Sequence, residues 1–69
     1  MQMTPVISSN LVSVGYDAET QTLRIQFHNG IYDYYNVPAR IYQGLMSAAS
    51  HGEYHAAYIK NSYRYRRIA

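Results

Sequence analysis

Asn29-Gly30 stands between two runs, Leu23 to Phe27 and Ile31 to Tyr35, in which apolar and polar side chains alternate. Asn-Gly tolerates positive φ at both central positions of a type I′ turn, so the pair predicts a tight hairpin. With these two residues as the loop, His28 faces Ile31, Phe27 faces Tyr32, Gln26 faces Asp33, Ile25 faces Tyr34 and Arg24 faces Tyr35. The twofold period of a strand then sorts the side chains: Leu23, Ile25, Phe27, Tyr32 and Tyr34 share one face, while Arg24, Gln26, His28, Ile31, Asp33 and Tyr35 share the other. The first face is expected to be the core and the second to be wet.

Upstream, Leu11 to Tyr16 reads as a strand and the polar stretch Asp17 to Thr22 as its turn. An antiparallel return sets Tyr16 opposite Leu23 and Val14 opposite Ile25, so that Val12, Val14 and Tyr16 extend the apolar face. A sheet with one wet side needs helices on the other. Pro38 suits a first helical position, with Ile41, Leu45 and Ala48 or Ala49 following at helical spacing and Tyr42 and Met46 beside them. This predicts a helix over 38–49. Ser50 and Glu53 have the spacing of a capping box and predict a second helix, with Tyr54, Ala57 and Tyr58 as its apolar stripe and an end near Asn61. Residues 62–69 are expected to be extended or loosely packed. The expectation is one α+β domain over residues 1–69: a three-stranded antiparallel meander packed on one face by two C-terminal α-helices. Its edges, 11–16 and 31–37, carry no Lys or internal Pro to block pairing, so homo-oligomerisation or capture of a protein partner is one available function.

Composition narrows the chemistry. The 69 residues contain no cysteine, which excludes a disulfide framework and a thiolate zinc site and leaves packing to hold the core. A hydrophobic share of 48% against 14% charged residues argues against disorder. Nine tyrosines with one Phe and no Trp suit a small domain, because a ring with a hydroxyl can fill core close to water. Met1 to Asn10 lacks the basic start and apolar run of a secretory signal, and no stretch approaches the roughly 20 apolar residues of a membrane span. A cytoplasmic protein without a membrane partner is the expectation.

No catalytic set emerges. The chain has no Gly-rich phosphate loop and no serine in a nucleophile elbow, and its four carboxylates are scattered, so no enzymatic activity and no cofactor are expected. His51, Glu53 and His55 differ from the metalloprotease H-E-x-x-H helix: Glu53 two residues after His51 is turned roughly 200° away, to the back of the helix. Two exposed helical histidines and no metal are expected. The one segment with a chemical theme is K-N-S-Y-R-Y-R-R, where Lys60, Arg64, Arg66 and Arg67 interleave with Tyr63 and Tyr65. Cations neutralise phosphates and aromatic faces stack unpaired bases, a combination suited to single-stranded RNA or tRNA. Arg24 and Tyr35, neighbours in the expected register, would add to it from the wet face. Four tail cations give a single-strand salt slope of at most about −3 in log–log terms, so such binding would be modest and salt-labile.

Several motifs together, P-V-I-S-S-N at 5–10, V-G-Y-D at 14–17, Asn29-Gly30, Tyr32-Asp33-Tyr34, Val37-Pro38 and A-S-H-G-E-Y at 49–54, resemble the KTSC family, named for a C-terminal domain of some lysyl-tRNA synthetases. The resemblance runs from about Pro5 to Ile68. It implies a small stand-alone protein of bacterial or phage-like type, an RNA-binding role suggested by the synthetase association, and no assigned catalytic residues. The chain departs from the family where relatives often carry an aromatic residue and Asn after the tyrosine: here His55-Ala56 follows Tyr54.

Overall fold

The computed structural model describes all 69 residues. Five strands, β1 (Thr4–Pro5), β2 (Leu11–Asp17), β3 (Thr22–Phe27), β4 (Gly30–Tyr34) and β5 (Tyr65–Arg67), form one antiparallel sheet in the order β1-β2-β3-β4-β5. Between β4 and β5 run α1 (Ala39–Ser47), α2 (His51–Tyr54) and a π-helical turn over His55–Ile59. The α+β class and the two helical segments agree with the sequence, but the three-stranded meander becomes a five-stranded sheet. β1 pairs with one expected edge and β5 with the other, so both edges named from sequence are interior. The sheet ends instead on a two-residue strand containing Pro5 and a three-residue strand containing two arginines, features that blunt edge pairing.

The hairpin register also differs. Phe27 pairs with Gly30, Ile25 with Tyr32 and Leu23 with Tyr34, a shift of two residues that makes His28 and Asn29 the corner. Asn29 does not take the positive φ that a type I′ turn at Asn29-Gly30 requires. The observed register sets Arg24 opposite Asp33 rather than Tyr35, and the two make a bidentate ion pair with Nε–Oδ1 at 2.7 Å and Nη2–Oδ2 at 2.9 Å. It also sets Gly30 beside the incoming tail, where a Cβ would lie only 2.8 Å from the Arg67 Nε. Because the shift is even, every residue keeps its expected face.

A bulge between Leu11 and Ser13 changes the start of β2. Leu11, 1% exposed, enters the core in place of Val12, which is half-buried. The core consists of Leu11, Val14, Leu23, Ile25, Tyr34, Val37, Leu45 and Ile59. From α1 comes Leu45, with Tyr42 stacked on Tyr16 at 4.9 Å between ring centroids. Ser50 caps α2 through its Oγ, which accepts the Glu53 N–H at 3.2 Å, while no return bond from the Glu53 side chain forms. The stripe expected after Tyr54 does not hold. The π turn, closed by the Lys60 N–H donating to the His55 carbonyl at 2.9 Å, adds a residue to the helical period, burying Ile59 and leaving Ala57 and Tyr58 exposed.

Candidate nucleic-acid interface

The ladder distributes the tail residues between two faces. In β5, Tyr65 pairs with Tyr34 and Arg67 with Tyr32, which puts both on the helix side of the sheet. Arg66 pairs with Asp33 and therefore shares the open side with Arg24. Arg64 lies opposite Tyr35, whose N–H donates to its carbonyl at 2.9 Å. Tyr63 is half-buried against the core and also lines a surface cleft. The eight residues singled out in the sequence thus do not form one surface. Lys60, Tyr65 and Arg67 belong to the helix side, Arg24, Arg66 and Tyr35 to the open side, and Arg64 lies opposite Tyr35 just before β5.

On the helix side the structure supplies what the sequence did not show. A pocket of about 400 Å³ opens between the end of the π turn and the β3–β5 part of the sheet, lined by Phe27, Tyr32, Tyr34, His55 and Tyr65 with Lys60, Asn29 and Asn61 at its rim. Phe27 meets Tyr32 edge-on at 5.6 Å and His55 at 4.9 Å. Tyr65 completes the wall, tilted against Tyr32 at 5.9 Å and Tyr34 at 5.7 Å. Arg67 does not line the pocket; its guanidinium donates to the Asn29 carbonyl at 2.8 Å and to the Ala69 carbonyl at 3.0 Å. A shallower cleft lined by Arg64, Tyr63 and Asn61 adjoins it and shares Tyr65.

The floor of the pocket is a polar pair set in aromatic surroundings. The Tyr34 hydroxyl and His55 Nε2 share a hydrogen bond of 2.8 Å. Burial pushes the Tyr34 phenol up to about 12, with Tyr32 and Tyr65 adding to the effect. Burial likewise lowers the His55 imidazole below its ordinary value, helped by the nearby Lys60 charge. Both groups are thus held neutral at pH 7, and the pocket's charge comes from Lys60. The histidines were expected to be exposed, yet both are half-buried and bonded: His51 Nδ1–H donates to the Leu45 carbonyl at 2.8 Å.

The open face carries a different arrangement. Ser13 Oγ donates to Gln26 Oε1 at 2.9 Å beside the Arg24–Asp33 pair, and Ser13 and Asp33 are only 6% and 7% exposed. Part of this face is covered by the N-terminus: a Cβ at Gly15 would lie 2.6 Å from the Met3 Sδ and 2.9 Å from the Gln2 carbonyl. No pocket opens there; the four clefts of the molecule are elsewhere.

Comparison with known proteins places this geometry in a family. The pattern of the KTSC domain matches residues 7–63. The crystal structure of a KTSC domain protein from Yersinia pestis superimposes with a TM-score of 0.96 at 42% identity, covering 99% of this chain and 97% of that one. An uncharacterized protein of Stutzerimonas stutzeri is 40% identical over 99% of both chains. Lysine–tRNA ligases of Trichormus variabilis and a Nostoc species are 34% and 36% identical over 55 residues, and the chain spans about a tenth of their length. The chain belongs to the KTSC domain family.

Proposed function

We propose that the protein is a non-enzymatic RNA-interacting module that takes an unpaired base into the aromatic pocket and steadies the adjoining phosphate with Lys60. One observation carries this reading: Phe27, Tyr32, Tyr34, His55 and Tyr65, from three strands and a helix, converge on a single pocket whose rim carries Lys60. Rings accept the face of any base, and a cation at the rim meets the backbone that follows it. Relatives named as lysine–tRNA ligases, enzymes that act on tRNA, carry a similar stretch and support the same ligand class.

The test is a fluorescence-anisotropy titration of single-stranded RNA and of tRNA with wild type and Tyr65→Ala at two salt concentrations. Removing the residues after Lys60 would strip β5 from the sheet, so the point variant is the cleaner probe. Tyr65 is 59% exposed, and its loss leaves the buried core intact. Loss of one stacking ring should weaken binding about 5- to 150-fold, the equivalent of about 1–3 kcal/mol. Equal affinity of the two proteins would remove the pocket from consideration.

A further inference from the structure

We infer that the aromatic pocket is one end of a groove holding a strand of about four nucleotides, and that its other end, built by Ser9, Asn10 and His51, grips the strand without a cation. This rests on the reading of the pocket as a base site and extends it to a second set of residues.

The clefts are joined through shared walls. The pocket adjoins a cleft of about 380 Å³ that shares Phe27, Asn29, His55 and Lys60 with it. That cleft adjoins a third, of about 660 Å³, across Asn10, Gly52 and Ala56. The third is made by segments far apart in the chain, the loop after β1 and the start of α2. Both coincide with motifs evident in the sequence, the S-S-N at 8–10 and the S-H-G-E at 50–53. Ser8 Oγ accepts the N–H groups of Asn10 and Leu11, each at 3.2 Å, which fixes the loop and leaves the Asn10 side chain directed to the cleft.

Gly52 is the neck of the groove. A Cβ there would lie 3.1 Å from Asn10 Nδ2, so the Asn10 amide lies against the bare backbone between the second and third clefts, and a larger side chain would push it into the groove. Beyond the neck, His51 has its Nδ1 committed to the Leu45 carbonyl, which fixes the tautomer and leaves Nε2 as an acceptor for a 2′-hydroxyl or a base amine. Ile7, 99% exposed at the mouth, offers an apolar ledge. No Lys or Arg lines this end, and Glu53 is its one carboxylate. The affinity gained there therefore comes from neutral hydrogen bonds and releases no further counterions. The molecule's longest dimension of 28 Å holds the site to the lower end of the roughly 4–16 nucleotides seen for single-strand binding folds.

Oligouridylates of two, four and six units, titrated at about 50 and 200 mM salt against wild type and Gly52→Leu, test this. In wild type the tetramer should bind about tenfold more tightly than the dimer, the hexamer no more tightly than the tetramer, and the tetramer-to-dimer ratio should be the same at both salts. Gly52→Leu fills the neck without touching the rings or cations. It should bind the dimer as wild type does, which also reports that it is folded, and lose the gain of the tetramer. Affinity independent of length, a gain that survives in Gly52→Leu, or a gain that shrinks as salt rises would overturn the groove while leaving the base pocket standing. Failure of every oligouridylate and of tRNA to bind would overturn both.

Discussion

On the helix side of the sheet, Leu23, Ile25 and Tyr34 are buried by Leu45 and Ile59 from other elements, whereas on the open side Ser13 and Asp33 are buried by their own cross-strand neighbours. The same alternation along the same strands feeds both faces. The first face is closed by layer packing, which is non-directional and tolerates a cavity wherever helix and sheet diverge, and that is where the aromatic pocket lies. The second is closed by hydrogen bonds within the plane of the sheet, Ser13 to Gln26 and Arg24 to Asp33, which leave a low surface with no recess. Directional partners consume polar groups in place; the divergence of two layers leaves rings free to meet a ligand.

The largest expected effect falls on the packed side. Leu45 is fully buried and is the principal anchor of α1, so Leu45→Ala should destabilise the protein by about 2–5 kcal/mol, measured by urea unfolding. On the open side, Asp33→Ala removes both acceptors of Arg24 but leaves a guanidinium whose side chain is already 34% exposed and can turn to water. Its cost should therefore be smaller, about 1–2 kcal/mol, and should shrink in high salt, whereas that of Leu45→Ala should not. Equal costs with equal salt dependence would break the distinction between the faces.

Proton linkage separates them further. The Tyr34 phenol, raised to about 12 by burial, keeps its proton in the folded state after the unfolded chain, titrating near the ordinary value of 10, has lost its own. Its contribution is complete below pH 10 and is lost as pH rises from 10 toward 12. Tyr16, raised by burial and by Asp17, adds in the same direction. Tyr34→Phe should accordingly show a shallower fall in Tm across that window than wild type, with the remainder due to Tyr16. His55 acts at the other end: its lowered value means the unfolded state binds the proton first, so stability should decline as pH falls below 6.5 and level off once the folded state is protonated too.

Much of this contrast is legible in the sequence, for reasons that particular residues make clear. The expected hairpin register lies two residues from the observed pairing, yet Leu23, Ile25 and Tyr34 are in the core and Tyr32 packs against it, because an even slip conserves the face. Leu11 and Val12 are both apolar, so period alone could not tell which one a bulge would turn inward. The tail reads Y-R-Y-R, a period-two pattern that becomes a strand only when β4 offers it an edge; the same pattern, taken as a strand, would have divided its tyrosines from its arginines. The π turn leaves no mark in the sequence. It decides that Ile59 is buried and that Tyr58, 56% exposed, is not, and that part of the candidate pocket was therefore out of reach. His55 meets Tyr34 only through the tertiary fold.

The smallest effect decides which face the RNA would use. Lys60 lies at the rim of the aromatic pocket and Arg66 on the open face beside Asp33; both are exposed, and replacing either by Gln should change stability by less than about 0.5 kcal/mol. They differ only in what they face. A cation that neutralises one phosphate of a single strand contributes about 0.7 to the log–log slope of affinity against salt. Lys60→Gln should therefore flatten that slope by about 0.7, while Arg66→Gln leaves it unchanged. The reverse result, with the slope following Arg66 and Arg24 and indifferent to Lys60, would move the interface to the flat hydrogen-bonded face. An effect from both would mean that the strand crosses the β5 edge, where alternation carries Arg66 and Arg67 to opposite sides within a single step of the chain.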